Sequence, residues 1–268
     1  MNNEKNLDFS EELRFALELC DEIDKYTLSS FDKREFNVMT KADLSPVTEI
    51  DQETERRIRS AIENVYPQDG IEGEEHGIDK KENSRNWVVD PIDGTKNYLR
   101  GVPIWGTLIA LCVEDQPVMG VVSAPSLHRR WWASKGNGAF LNGKQIHVSK
   151  IDDLKQAQAS FGNMSHFEPG GFPGGLERLN SEIARARGIG DFWSHMLVAE
   201  GALDCGLDPI VEPYDIAPLK IIVEEAGGTF TDFHGKDTIR GGSGLSTNGI
   251  LHDQLQKIVL GQYEGIID

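Results

Sequence analysis

Cysteine is scarce and basic charge is in short supply in this 268-residue chain. Its three cysteines, Cys20, Cys112 and Cys205, show no CxxC spacing. An odd, scattered set fits neither a disulfide framework nor a zinc site. They read as small buried hydrophobes in a cytoplasmic protein. No apolar run reaches the roughly 18 residues of a membrane span. Met1 to Ser10 is polar and acidic, without the apolar core of a secretory leader. Lysine and arginine number 27 against 44 aspartates and glutamates, a net charge of −17. That balance argues against a protein built to hold nucleic acid or an anionic membrane surface. It is compatible with a site for divalent cations, although most of the surplus reads as solvated surface.

What is there describes an ordinary soluble globular protein, 38% hydrophobic and 26% charged. Leu13, Leu17, Cys20 and Ile23 recur at helical spacing, which predicts a helix from Phe9 to about Phe31. A second runs from about Thr48 to Val65 and is ended by Pro67. Trp87-Val88-Val89 reads as a short buried strand that stops at Asp90-Pro91. The unbroken apolar run from Thr107 to Val113 fits a strand covered on both faces. Asp115-Gln116-Pro117 would turn it into Val118–Val122, with Arg130–Ser134 as a third strand. Ala139–Leu141 followed by Asn142-Gly143-Lys144 is a hairpin signal. Beyond that, short strands around 159–161, 188–190, 203–205, 229–231 and 244–247 alternate with helices near 174–186, 192–201, 214–226 and 250–260. The chain reads as one αβ unit over 1–268, with two subregions of about 1–150 and 151–268.

Four acidic groups stand out: Asp51, the pair Glu74-Glu75, Asp90 with Asp93, and Asp215. Asp90 follows an apolar strand, and Asp93-Gly94-Thr95 reads as the first turn of a helix. Two carboxylates three residues apart across such a turn can converge on cations, while free N–H groups at the helix start face an anion. Hard oxygen ligands without histidine or cysteine select Mg²⁺ over zinc. Singly, each group also fits a helix cap or a surface turn.

Together they resemble a family. Trp87-Val88-Val89-Asp90-Pro91-Ile92-Asp93-Gly94-Thr95-Lys96-Asn97-Tyr98 is similar to the signature of the inositol-monophosphatase-like, Mg²⁺-dependent phosphatases. Gly73-Glu74-Glu75 lies at the matching distance before it. Tyr214-Asp215-Ile216-Ala217, with Val223-Glu224-Glu225-Ala226-Gly227-Gly228, resembles the second signature. The resemblance implies an α/β fold, a layered αβαβα sandwich, and a phosphate monoester substrate. It implies that Glu74, Asp90, Asp93, Asp215 and the Ile92 carbonyl hold two or three Mg²⁺ ions, with Asp90 bridging. Thr95 and Asp51, helped by Glu74, would orient and deprotonate the attacking water. The Gly94 and Thr95 N–H groups, beside Asp93, would hold phosphate. A metal-bound water has a strongly lowered pKa, which makes that role plausible chemistry near neutral pH. Members of the family are usually dimers, so a homodimer is expected.

Within the family, Gly190-Asp191-Phe192-Trp193-Ser194-His195-Met196, with Glu212-Pro213-Tyr214-Asp215, is similar to the histidinol-phosphate phosphatase branch. Asp191, Asp208 and Glu212 are then candidate contacts for a cationic leaving group. His195 and Trp193 are expected to pack rather than act. An inositol-1-phosphate or broad sugar-phosphate phosphatase is the alternative.

Overall fold

Successive residues of the long central strands point to opposite faces, and both faces are apolar, so each strand must be covered twice. The computed structural model describes residues 8–34, 37–40 and 46–263; the polar N-terminal residues 1–7 lie outside them. In chain order the elements begin with α1 (Ser10–Lys33), β1 (Val38–Thr40), β2 (Pro46–Thr48), α2 (Glu49–Val65), β3 (Gly70–Gly73), β4 (Gly77–Asp79), β5 (Arg85–Asp93) and α3 (Thr95–Arg100). Then come β6 (Gly106–Val113), β7 (Gln116–Ala124), β8 (Arg129–Ser134), β9 (Ala139–Leu141), β10 (Lys144–Ile146), β11 (Gln158–Phe161), α4 (Gly175–Glu182) and β12 (Arg185–Arg187). The chain closes with α5 (Asp191–Ala199), β13 (Cys205–Asp208), α6 (Pro213–Glu225), β14 (Thr229–Thr231), β15 (Gly244–Thr247) and α7 (His252–Leu260).

An eight-stranded sheet has the order β10-β9-β8-β7-β6-β5-β3-β4, and a five-stranded sheet the order β12-β11-β13-β15-β14. Trp87, Val89, Ile109, Leu111 and Val121 pack on one side of the first sheet against Leu19 and Ile23 of α1 and Ile58 and Ile62 of α2. Their neighbours Val88, Leu108, Ala110 and Val122 point the other way, onto Phe192 and Met196 of α5 and Ile216, Leu219 and Val223 of α6. The second sheet closes on that middle helix layer through Phe230. Its far side, with Ala159, Leu207 and Leu245, is covered by Leu176 and Leu179 of α4 and Leu255 and Ile258 of α7. The result is the αβαβα sandwich that the resemblance implies. All three cysteines are buried and unpaired. Trp131 faces the middle layer, whereas Trp132 lies on the other face, half-buried and stacked on Phe140 with ring centroids 6.0 Å apart.

Several boundaries differ from those expected, each for a local reason. β5 does not stop at Asp90; it continues through Pro91 to Asp93, with its pairing to β6 shifted between Asp90 and Asp93. An irregularity of this kind accommodates a residue that has no N–H to give the ladder. The β6–β7 turn uses Glu114 and Asp115, at φ 53° and 63°, rather than Asp115 to Pro117. Two left-handed residues suit a two-residue hairpin between twisted strands. The strand expected at 188–190 is instead Arg185–Arg187, because α4 ends at Glu182 and the chain at once becomes extended beside β11. The strand expected at 203–205 starts only at Cys205, since Ala202 and Leu203 still donate to the Leu197 carbonyl at the end of α5. Strands β3 and β4 were not anticipated; Gly70-Ile71-Glu72-Gly73 has almost no apolar pattern, yet pairs parallel to β5.

Candidate active site

Three carboxylates from two distant parts of the chain meet at the end of β5 and the start of α6. One oxygen from each of Asp90, Asp93 and Asp215 lies within 4.8 Å of the others. Asp90 is only 2% exposed. Its Oδ1 accepts the Ile92 N–H at 3.0 Å, within the irregular stretch at the end of β5. Asp215 sits in the first turn of α6, where its Oδ2 accepts the Glu212 N–H at 2.7 Å. Pro213 begins that helix and Pro218 lies within it. Pro213 occupies a first-turn position whose N–H would have no internal partner. Glu74 stands one carboxyl further out, hydrogen-bonded to Asp90.

Crowded like charges in a buried place resist ionisation. Burial first, then the charges of Glu74, Asp93 and Asp215, push Asp90 well above the usual carboxylate range. Burial, Asp191 and Asp215 do the same to Asp93, against a hydrogen bond from the Phe192 N–H. Asp215 is pushed up to about 8, chiefly by burial, with the Glu212 N–H pulling the other way. A set of hard oxygens that repel one another this strongly, with no histidine or cysteine among them, fits a divalent cation of the Mg²⁺ class.

Beside the cluster, Thr95 opens α3. Its Oγ1 lies 3.1 Å from Asp51 Oδ1 and 3.0 Å from the Ile92 carbonyl oxygen. One hydroxyl proton thus has two acceptors, and the oxygen's lone pairs remain for a donor. Asp51 is itself fixed by the N-terminal cap of α2: its Oδ2 accepts the Thr48 N–H at 2.8 Å and the Thr48 hydroxyl at 2.5 Å. The Thr48 Oγ1 in turn accepts from the Ile50 and Asp51 N–H groups. Asp51 is therefore a helix cap and a partner of Thr95 at once. Gly94, just before α3, has φ +82°, and a Cβ there would lie 2.9 Å from the Ile104 carbonyl oxygen. Glycine alone lets this turn sit so close to its neighbour.

A cavity of about 380 Å³ is lined by Glu74, Asp90, Ile92, Asp93, Gly94 and Thr95, and across from them by Asn163, Asp191 and Asp215. An adjoining one of about 240 Å³ shares Asp93, Asp191 and Asp215 and adds Asp208 and His166. Asp191 has φ +51°, and its Oδ2 accepts the Asn97 Nδ2 amide at 2.7 Å. It does not cap α5, since that helix has Gly190 at its N-cap position. Burial and Asp208 raise Asp191 to about 6, with Lys96 opposing. Asp208 Oδ2 lies 2.9 Å from His195 Nε2, whose Nδ1 is 2.8 Å from Ser246 Oγ. His195 is fully buried, as expected of a packing residue, and orients Asp208. Glu212, by contrast, is exposed and lines neither cavity; what it brings to the site is its backbone N–H.

Lys96 lines both cavities, and among the described residues it is the one basic side chain around the larger. The sequence reading passed over it, although its place directly after Gly94-Thr95 was a usable signal. Gly162 was also missed: a Cβ there would lie 1.9 Å from Asp208 Oδ1, so any side chain would displace that carboxylate.

Residues 8–264 match the model of the inositol monophosphatase family. A histidinol-phosphatase of Streptomyces coelicolor is 42% identical over 257 residues, which cover 92% of this chain and 96% of the relative. One of Mycobacterium tuberculosis is 43% identical over 250 residues, 91% and 96% of the two chains. Among solved structures, the IMPase of Thermotoga maritima superposes with a TM-score of 0.85 at 32% identity, covering 94% of this chain and 98% of that one.

Proposed function

The chain belongs to the inositol monophosphatase family and is a phosphoric monoester hydrolase, and from that footing we propose that it hydrolyses L-histidinol phosphate to L-histidinol and phosphate, the step that releases histidinol in histidine biosynthesis. The observation that carries this reading is the pair Asp191 and Asp208 beside the metal carboxylates, in a cavity continuous with them. Histidinol brings an ammonium and an imidazole, and a carboxylate pair suits them; an inositol ring would bring these acids no cationic group.

The proposed cation is Mg²⁺, two or three ions held by Glu74, Asp90, Asp93, Asp215 and the Ile92 carbonyl. When bound, it supplies Lewis-acid stabilisation of charge on phosphate and lowers the pKa of water. The protein's own groups do the rest. Thr95, with Asp51 accepting its proton, turns a lone pair towards the attacking water and orients it; Asp51, with Glu74, takes up the proton that the water loses. The N–H groups of Gly94 and Thr95 hold phosphate oxygens, and Lys96 offsets their charge. Water forms a new P–O bond as the bond to the histidinol oxygen breaks, in line, and that oxygen takes up one proton through solvent, balancing the one that the attacking water gave up. Asp191 and Asp208 hold the leaving group, and Glu212 supports Asp215 through its N–H. The working form is a cytoplasmic homodimer.

Phosphate release should be measured with Mg²⁺ on histidinol phosphate, inositol-1-phosphate and fructose-1,6-bisphosphate. Histidinol phosphate should give the highest kcat/KM. A higher value for either of the others would replace it as the substrate.

A further inference from the structure

Helix α2 presents two acids one turn apart, Asp51 and Glu55, and both are fully buried. Asp51 serves Thr95. Glu55 faces the next segment of the chain, the turn from Gly73 to Gly77 that carries Glu74. Its Oε2 accepts the Glu75 N–H at 2.6 Å, and its Oε1 accepts the His76 N–H at 3.1 Å. Arg59, one turn further along α2, donates its Nε to Glu55 Oε1 at 2.7 Å and a second nitrogen to the Gly77 carbonyl. The fit leaves no slack: a Cβ on Gly73 would lie 2.2 Å from Glu55 Oε1. On its other side the same turn is tied to β5, because the Glu74 N–H donates to the Val89 carbonyl at 3.3 Å. Val89 is the residue before Asp90.

This arrangement answers a problem of position. Glu74 must stand directly against Asp90 for both to face one cation. Something has to hold the turn in that register. Three donors converge on Glu55, and they need two acceptor oxygens with a full negative charge. Such charge-assisted bonds are about twice as strong as neutral ones. A glutamine in the same place would offer one oxygen and aim an amide hydrogen at a donor.

We propose that Glu55 is a positioning residue: its carboxylate clamps the backbone of the 73–77 turn so that Glu74 stays against Asp90, and it thereby sets the affinity of the carboxylate cluster for its divalent cation. Arg59 neutralises the buried charge. The proposal rests on the reading that Glu74 serves that cation. Partners that orient metal ligands typically cost 10–100-fold in affinity when removed.

The test is calorimetric titration of the whole protein with Mg²⁺, without substrate, on four forms: unmodified, Glu55→Gln, Arg59→Met and Glu74→Gln. Glu55→Gln should weaken cation binding about tenfold or more. In turnover assays its half-saturating Mg²⁺ should rise much more than its kcat at saturating Mg²⁺ falls. Arg59→Met, which leaves both backbone N–H groups on Glu55, should lower the melting temperature with a much smaller change in affinity. Glu55→Gln that melts lower yet binds Mg²⁺ like the unmodified protein would reduce Glu55 to a stability residue and overturn the proposal. Glu74→Gln that binds Mg²⁺ normally would instead overturn the reading beneath it. Should Glu55→Gln fail to fold, Gly73→Ala takes its place. It keeps every charge and presses a methyl onto Glu55 Oε1, and normal Mg²⁺ affinity there would equally overturn the clamp.

Discussion

Asp93 Oδ2 accepts a hydrogen bond from the backbone N–H of Phe192 at 2.7 Å, joining residues 99 positions apart in the chain. Phe192 is in the first turn of α5, where N–H groups have no partner within the helix. One carboxylate therefore completes a helix end in the second half of the chain while offering an oxygen to the acidic cluster.

Asp93→Asn should consequently fold, because its amide oxygen can still accept from Phe192. Activity should be lost all the same, as in Asp90→Asn and Asp215→Asn, since a hard cation needs the charge. Melting temperatures in EDTA should stay level or rise, as each change relieves repulsion. Undiminished turnover of the unmodified protein after exhaustive EDTA treatment would show that the cluster is not a working metal site.

Thr95→Ala should lower kcat far more than it raises KM. On the proposed mechanism the hydroxyl acts on the attacking water, an interaction that counts mostly in the transition state, whereas the phosphate is assigned to backbone N–H groups that the change leaves alone. Steady-state kinetics on histidinol phosphate decides it. A normal kcat with weaker binding would make Thr95 a substrate ligand only.

Asp191→Asn and Asp208→Asn should separate esters by charge. A charge-assisted hydrogen bond contributes about 1.5–3 kcal/mol, so each change should cost roughly ten- to a hundredfold in kcat/KM on histidinol phosphate. An aryl phosphate, whose leaving group carries no cation, should be hydrolysed nearly as before. Equal losses on both esters would mean that these acids support the cation cluster instead.

The metal-free protein should become less stable as pH rises. Asp215 has a folded-state pKa of about 8. Its unfolded value is about 3.9. A raised folded pKa means that the native state holds its proton longer, so the stabilisation is complete below about pH 4 and is lost as pH climbs through 8. Burial sets that shift, with Glu74, Asp208 and Glu212 adding to it. Melting temperatures in EDTA between about pH 5 and pH 8.5 should fall, and Asp215→Asn should flatten the slope. A flat profile in the unmodified protein would contradict the shift.

Much of this was legible in the chain. The helical spacing of Leu13, Leu17 and Cys20 marked α1, and the doubly apolar run at 107–113 marked a strand covered on both sides. Asp90, Asp93 and Asp215 could be singled out because their neighbours form recognisable turns. Glu55 could not, since a glutamate in an amphipathic helix looks like solvated surface until the 73–77 turn is seen lying over it. β3 was hidden for a related reason: two glycines, an isoleucine and a glutamate become a strand only because β5 offers them a partner. Glu212 shows the opposite error, because closeness in sequence to Asp215 did not carry its side chain into the cavity.

The order of assembly along the chain has a consequence during synthesis. Asp51, Glu74, Asp90 and Asp93 all leave the ribosome well over a hundred residues before Asp215 does, and Phe192, which secures Asp93, also comes late. A nascent chain ending near residue 150 would carry four of the acids and neither α5 nor α6, the layer that lies between the two sheets. Such a chain has nothing to cover the apolar inner face of its first sheet and no closing ligand for a cation. The three-carboxylate cluster is therefore complete only once α6 has docked and delivered Asp215, so a cation that needs all three acids binds after the fold has closed.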